Sequence, residues 1–470
     1  LYIKKQAQPG RHSPVTLGFD GSLMPPAESP LDEAKSAPPS LDADNPYYLA
    51  AVAALARKRP VVAQQDIYNC KGMKLVAKGS EVSQLQFERL AQHKLRESLD
   101  HLLASERPID STTLAIEACK IIDNDRIYGR MATRSGDPLA VKHALEALKI
   151  PSLLLLRLTV MREQRRGMFD HSLRSAMIAY ALAQRLGLSA AERYNLLIGA
   201  LCHDIGEMHT DPALLERGHA ITPDERRYIH VHPLSSYVLL HGIPGFPPAA
   251  AQAVLHHHER LDGSGYPHGL RCARIPPLAK LIAVADVAET VIRRFDLPRL
   301  DMLARLHHGR FDQAAVDALR DLIHATDKDA LAAPHESATT AQLNHLSELL
   351  IAWHTLRDTF ARQVTPAAPE QSPLAFLFER MSTVRQLILQ AGFDPDHVDG
   401  MLDIARGDSA IQLELRSMLD ELEWLLQDLA NEIGRRAPEL ASLPSSPLSS
   451  LLNLLRPAWT GRCDGIDAAD

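Results

Sequence analysis

The stretch His256-His257-His258-Glu259-Arg260-Leu261-Asp262-Gly263-Ser264-Gly265-Tyr266-Pro267 puts three imidazoles, two carboxylates and a glycine-rich turn side by side. Two consecutive histidines can face one site only where a helix ends or bends, and Gly263 and Gly265 make such a break plausible. Of the 22 histidines in the chain, 11 fall between His171 and His268. Upstream, Phe169-Asp170-His171-Ser172-Leu173-Arg174 opens an Ala/Leu-rich helical pattern. The apolar run Leu197 to Leu201 delivers an adjacent His203-Asp204 pair and stops at Gly206. His230-Val231-His232-Pro233 lies between, and the apolar helix from Leu278 ends in Ala285-Asp286.

These residue types suit metal-assisted cleavage of a phosphodiester. The ester is anionic and water attacks it slowly. Two divalent cations roughly 3.5–4 Å apart activate a shared water and neutralise the phosphoryl oxygens. Such a pair needs imidazoles for affinity and at least one carboxylate to bridge. An adjacent His-Asp pair can serve one cation with the imidazole and span both with the carboxylate.

His203-Asp204, His257-His258-Glu259 and Asp262-Gly263-Ser264-Gly265-Tyr266-Pro267 resemble the motifs of the HD-GYP family, a subset of the HD phosphohydrolase superfamily that hydrolyses cyclic di-GMP. The likeness covers roughly 165–290. It implies an all-α, HD-type helical bundle with metals at its centre. It also implies seven ligands, His171, His203, Asp204, His232, His257, His258 and Asp286, with Asp204 as the bridge. The cofactors implied are two divalent ions, Fe or Mn. An extra glutamate that some members use for a third metal is replaced by Gly167. Arg174, Gly265, Tyr266 and Pro267 are the implied substrate contacts, with a weaker claim for Arg260. Arg174, Tyr266 and Arg260 each have a purely structural alternative. His256 has no matching role and reads as a helix-surface residue.

Glu207 stands where the family usually has lysine. It joins Asp204 as a candidate catalytic carboxylate, and a carboxylate there repels the scissile phosphate unless it binds metal or turns away. Arg271, Arg274 and Lys280 are nearby cations, more simply read as solvated surface charge. The expected activity is hydrolysis of cyclic di-GMP to pGpG and GMP. The alternative is a catalytically weak or inactive domain that binds a nucleotide or a signalling protein. In a third reading the flanking helices act as a scaffold.

The rest of the chain sets limits. A formal charge of −7 argues against a general DNA binder, which needs a basic field. The leucine run 153–156 is cut by Arg157, far short of the roughly 20 residues of a membrane helix. Five scattered cysteines read as reduced thiols, and cytoplasm is the expected compartment. Residues 1–46 are expected to be a disordered tail, 47–160 a small β element plus helices, and 161–297 the metal-binding domain. The stretch 298–434 reads as a helical region and 435–470 as a second disordered tail. The apolar stripe Leu415 to Leu429 reads as an intramolecular seam, with a homodimer coiled coil as the alternative.

Overall fold

The computed structural model describes residues 45–97, 99–215, 223–294, 309–323, 336–361, 373–390, 409–436 and 450–455. The expected N-terminal tail, apart from its last two residues, lies outside them, as does most of 435–470.

The N-terminal module begins with α1 (Pro46–Ala56), capped by the Asn45 side chain. Strands β1 (Val61–Ala63), β2 (Ile67–Tyr68) and β3 (Lys74–Val76) follow, then α2 (Gln84–Ala91) and α3 (Leu99–Leu102). The two short antiparallel sheets are β2 with β3, and β1 with a fourth strand, β4 (Leu103–Ser105). The Leu102-Leu103 pair had suggested helix. In the fold Leu103 is buried in the strand paired to β1, so tertiary pairing overrides the local pattern. Helices α4 (Ser111–Asn124), α5 (Arg126–Arg134) and α6 (Ala140–Glu146) complete the module.

The central bundle runs from α7 (Ser152–Gln164) and α8 (Arg166–Arg185) to α9 (Ala190–Leu201), α10 (Pro223–His230) and α11 (His232–His241). It closes with α12 (Pro248–Leu255) and α13 (Pro277–Arg294). A capping box of Ser189 and Glu192 starts α9, satisfying two orphan donors. Its end is set by packing. After Asp204 the chain tightens into a 3-10 turn, Ile205–His209, in which Gly206 meets the start of α11. The Gly206 amide donates to Ser236 Oγ at 2.8 Å. A Cβ on Gly206 would lie 2.6 Å from His232 O and Ser236 N. The glycine after His-Asp is therefore what lets α11 approach and brings His232 opposite Asp204.

Helix α14 (Gln313–Ile323) buries Ala315, Leu319 and Leu322 in the same core as the bundle. A second apolar cluster unites α15 (Glu336–Ala361), α16 (Pro373–Gln390) and α17 (Ser409–Arg436) around the buried Trp353. The Leu415–Leu429 stripe is buried within this cluster. Leu451, Leu452 and Leu455, inside the stretch expected to be a tail, pack there too. Their one-turn spacing is an apolar stripe that the preceding Pro/Ser-rich run obscured. No helix of the described residues is long and apolar enough to cross a membrane.

Gly206→Ala is expected to destabilise the full chain by about 1–3 kcal/mol or more, because backbone atoms rather than a flexible side chain must move. Denaturant midpoints by circular dichroism check this. An unchanged midpoint would show that α11 does not depend on this contact.

Candidate metal centre

Five helices each bring part of the site, mostly from their ends. His171 sits in the first half of α8, and Asp286 lies midway along α13. His203 and Asp204 follow the last residue of α9, and His232 is the first residue of α11. Helix α12 stops at Leu255, so His256, His257 and His258 lie just past its end, which is how two adjacent imidazoles reach one centre. All seven ligand candidates are buried.

They form two groups. His171, His203 and Asp286 make one, and Asp204, His232, His257 and His258 the other. Within each group one donor atom per residue lies within 4.8 Å of all the others. Asp204 faces both groups. Its Oδ2 is 2.9 Å from His203 Nε2 and 3.4 Å from His171 Nε2. Its Oδ1 is 3.3 Å from His232 Nε2 and 3.6 Å from His257 Nε2. Asp286 Oδ1 lies 3.2 Å from His171 Nε2, and His258 Nε2 is 3.0 Å from His232 Nε2.

The backbone fixes which nitrogen faces inward. Nδ1 of His203, His232 and His257 donates to the carbonyls of Ala200, Ile229 and Val254, at 2.8, 2.8 and 2.6 Å. A proton held on Nδ1 leaves the Nε2 lone pair directed at the centre. His171 instead donates Nδ1 to Glu289 Oε2 at 2.5 Å. Sequence reasoning missed Glu289. Its signal was spacing, since it falls one turn after Asp286 on α13 and shares its face.

The electrostatics suit a cation. Burial is the largest influence on Asp204 and opposes ionisation, yet His203, His171 and His232 outweigh it and hold the carboxyl well below the usual range. Asp286 is likewise held ionised against burial by His171 and His203. Burial depresses His257 to about 4, partly offset by Asp204. It pushes His258 well down too, with His257 and His232 adding. Both are neutral ligands at pH 7, as coordination requires. His171 goes the other way: burial lowers it, but Glu289, Asp204 and Asp286 raise it well above the usual value. His171 Nε2, His203 Nε2 and both Asp286 oxygens are buried without a hydrogen-bond partner. Donors converging in a dry core with nothing to bond fit divalent cations.

The remaining candidates divide. Tyr266 lies flat against His258 (ring centroids 4.7 Å) and His230 (4.4 Å). Gly265 allows that approach, since a Cβ there would sit 2.4 Å from backbone atoms of residues 258–260. Pro267 is exposed. Arg174 is half-buried, 4.0 Å from Glu289 Oε1 and 6.0 Å from the Tyr128 ring. Arg260 is turned to structure, donating to His257 O and Glu259 O under the Phe311 ring. His256 is buried, with Nδ1 3.9 Å from Glu259 Oε1, so it is not a surface residue. The kink at the helix end turns it inward. Glu207 is buried with its Oε1 3.8 Å from His232 Nδ1, the nitrogen of that ring turned away from Asp204. Neither donor group contains it.

Residues 156–312 match the family model described as HD domain. The chain is 30% identical over 179 residues to 3'3'-cGAMP-specific phosphodiesterase 1 of Vibrio cholerae, covering 36% of this chain and 41% of that protein. It is 38% identical over 154 residues to the cyclic di-GMP phosphodiesterase response regulator RpfG of Xanthomonas campestris, covering 31% of this chain and 41% of that one. Among solved structures, Bd1817, a HDG"Y"P protein from Bdellovibrio bacteriovorus, aligns with 57% of this chain and 94% of its own. The identity is 18% and the TM-score 0.33. The matched stretch spans about two fifths of each of these two curated relatives.

Glu289→Gln removes the carboxylate that orients His171. The expected result is a 10–100-fold loss of metal affinity with the helical signal intact, as for other groups that support a ligand from behind. Titration of metal-stripped protein with Mn or Fe checks it. Unchanged affinity would mean His171 is placed without Glu289.

Proposed function

We propose, starting from the HD domain that residues 156–312 form, that this chain is a metal-dependent phosphodiesterase acting on a cyclic dinucleotide. Cyclic di-GMP, opened to linear pGpG and onward to GMP, is the leading substrate, and 3'3'-cGAMP is the related one named among the relatives. The observation that carries the reading is the division of the Asp204 oxygens between two donor groups.

His171, His203 and Asp286 would hold one divalent cation, and His232, His257 and His258 the other, with Asp204 serving both. Fe and Mn suit the mixed imidazole and carboxylate donors. When bound, the pair supplies Lewis acidity and activates water at neutral pH. The protein's share is placement. Three backbone carbonyls fix imidazole tautomers, Glu289 orients His171, and burial keeps the centre dry so that its charges act at full strength. Tyr266 gives the centre a flat aromatic wall beside His258. Arg174 stands at the Glu289 side as a phosphate contact.

One observation favours a second reading, a metal-loaded domain that binds the nucleotide without cutting it. Glu207 supplies no cation, and its carboxylate lies behind His232, 3.8 Å from Nδ1, on the side of that ring turned away from Asp204.

Metal analysis and turnover separate the two. The purified chain is expected to hold about two Fe or Mn and to hydrolyse cyclic di-GMP or 3'3'-cGAMP. Asp204→Ala is expected to lose more than about a hundredfold in turnover together with its metal, exceeding the effect of a supporting residue. Metal and nucleotide binding without turnover would select the binder. Equal turnover in wild type and Asp204→Ala would remove the assignment altogether.

A further inference from the structure

The C-terminal cluster reaches across to the glycine-rich loop beside the metal centre. Asp262, at the start of that loop, accepts from the Ser264 amide and hydroxyl at 2.9 and 2.6 Å. It is also paired with Arg380 of α16 at 2.9 Å and with Arg310 at 3.4 Å. Arg310 pairs in turn with Asp428 of α17, and Arg380 with Glu432 of the same helix at 2.8 Å. Each of these two arginines meets two carboxylates, so their charges are spent on holding the loop.

Arg435, at the end of α17, differs. It donates Nη2 to the Ser264 carbonyl at 2.9 Å, and its guanidinium carbon lies 5.3 Å from the centre of the Tyr266 ring. Among the described residues no carboxylate lies within ion-pairing distance of it, although Asp428, the partner of Arg310, feels its charge. Tyr266 is the ring stacked on His258, whose Nε2 faces the second donor group. A partly exposed cation with four further N–H donors thus stands one aromatic ring away from the metal centre. The lysine expected beside His203-Asp204 is absent, and Glu207 takes its place.

A cyclic dinucleotide carries two phosphodiesters on one macrocycle. If one lies at the cations, the other must be met elsewhere, and a guanidinium matches its paired oxygens in shape and charge. We propose that Arg435 forms an anion subsite over Tyr266 that takes the phosphate not being cleaved, so that the site is completed by a helix outside the HD domain. The proposal rests on the cyclic-dinucleotide reading above. It makes the C-terminal cluster a determinant of substrate choice as well as a brace for the loop.

The test compares the metal-loaded full chain with Arg435→Gln and Arg435→Lys on cyclic di-GMP and on bis(p-nitrophenyl) phosphate, a diester with a single phosphate. For Arg435→Gln the ratio of kcat/KM for the dinucleotide to that for the small diester is expected to fall about tenfold, through KM, the scale of one lost charge-assisted contact. Arg435→Lys is expected to recover part of it. An equal fall on both substrates would show that Arg435 only shapes the loop, and an unchanged ratio would show that it meets no phosphate. Either result overturns the subsite. Should the wild type hold metal and cleave neither compound, the hydrolase reading fails by itself. Equilibrium binding of cyclic di-GMP then decides the subsite: weaker binding by Arg435→Gln supports it, equal binding ends it.

Discussion

The Asp204 carboxylate is the constraint around which the bundle is arranged. Its two oxygens look at two different sets of imidazoles, and four histidines from four segments crowd within 3.6 Å of it. Each surrounding helix carries a local feature that exists because of this convergence. Helix α9 ends early, Gly206 has no side chain, α11 begins on a histidine, and α12 breaks before its histidine run. A carboxylate in an apolar core without partners would cost several kcal/mol. Here it is surrounded by imidazoles, and the core around it is close-packed by α8, α9 and α13.

Charge balance then shapes the next layer. Asp204, Asp286 and Glu289 are all buried within reach of His171. Three carboxylates around one imidazole raise its proton affinity, whereas His257 and His258, with fewer acidic neighbours, are driven to the neutral form by burial. The two halves of the centre therefore differ before any cation arrives: one is acid-rich, the other imidazole-rich. Such asymmetry tends to give two bound metals unequal affinities, since carboxylates favour the harder ion and imidazoles the borderline one.

Much of this was legible in the sequence because metal chemistry restricts residue types. A His-Asp pair, a histidine run before a glycine-rich turn and a terminal Ala-Asp can be picked out of a helical background, the family resemblance completed the set with His171 and His232, and the structure brings the seven side chains together in two adjoining groups. The interaction that could not be read was Glu289 with His171, which joins residues 118 apart and shows only as a carboxylate one turn beyond Asp286. The inward turn of His256 depended on where α12 breaks. Strand β4 depended on a partner some 40 residues away. Local propensity carries no information on such contacts. The helical class was readable from Ala/Leu periodicity, while the split into two apolar clusters, with α14 in the first, emerges only from packing.

Glu207 shows how a single departure from a motif needs its surroundings to be interpreted. In sequence it is a charge reversal, relative to the motif it resembles, beside His203-Asp204. In the fold its carboxylate lies on the Nδ1 side of His232, and the half-buried Arg165 feels its charge. The position therefore lies on a histidine's far side. On another side of the cluster Arg435 of α17, a helix of a different apolar cluster, stands over the Tyr266 ring. The loop between them is held by Arg310 and Arg380 at Asp262 and by Arg435 at Ser264. The C-terminal helices are thereby joined, through the glycine-rich loop, to Tyr266, the ring that stacks on His258.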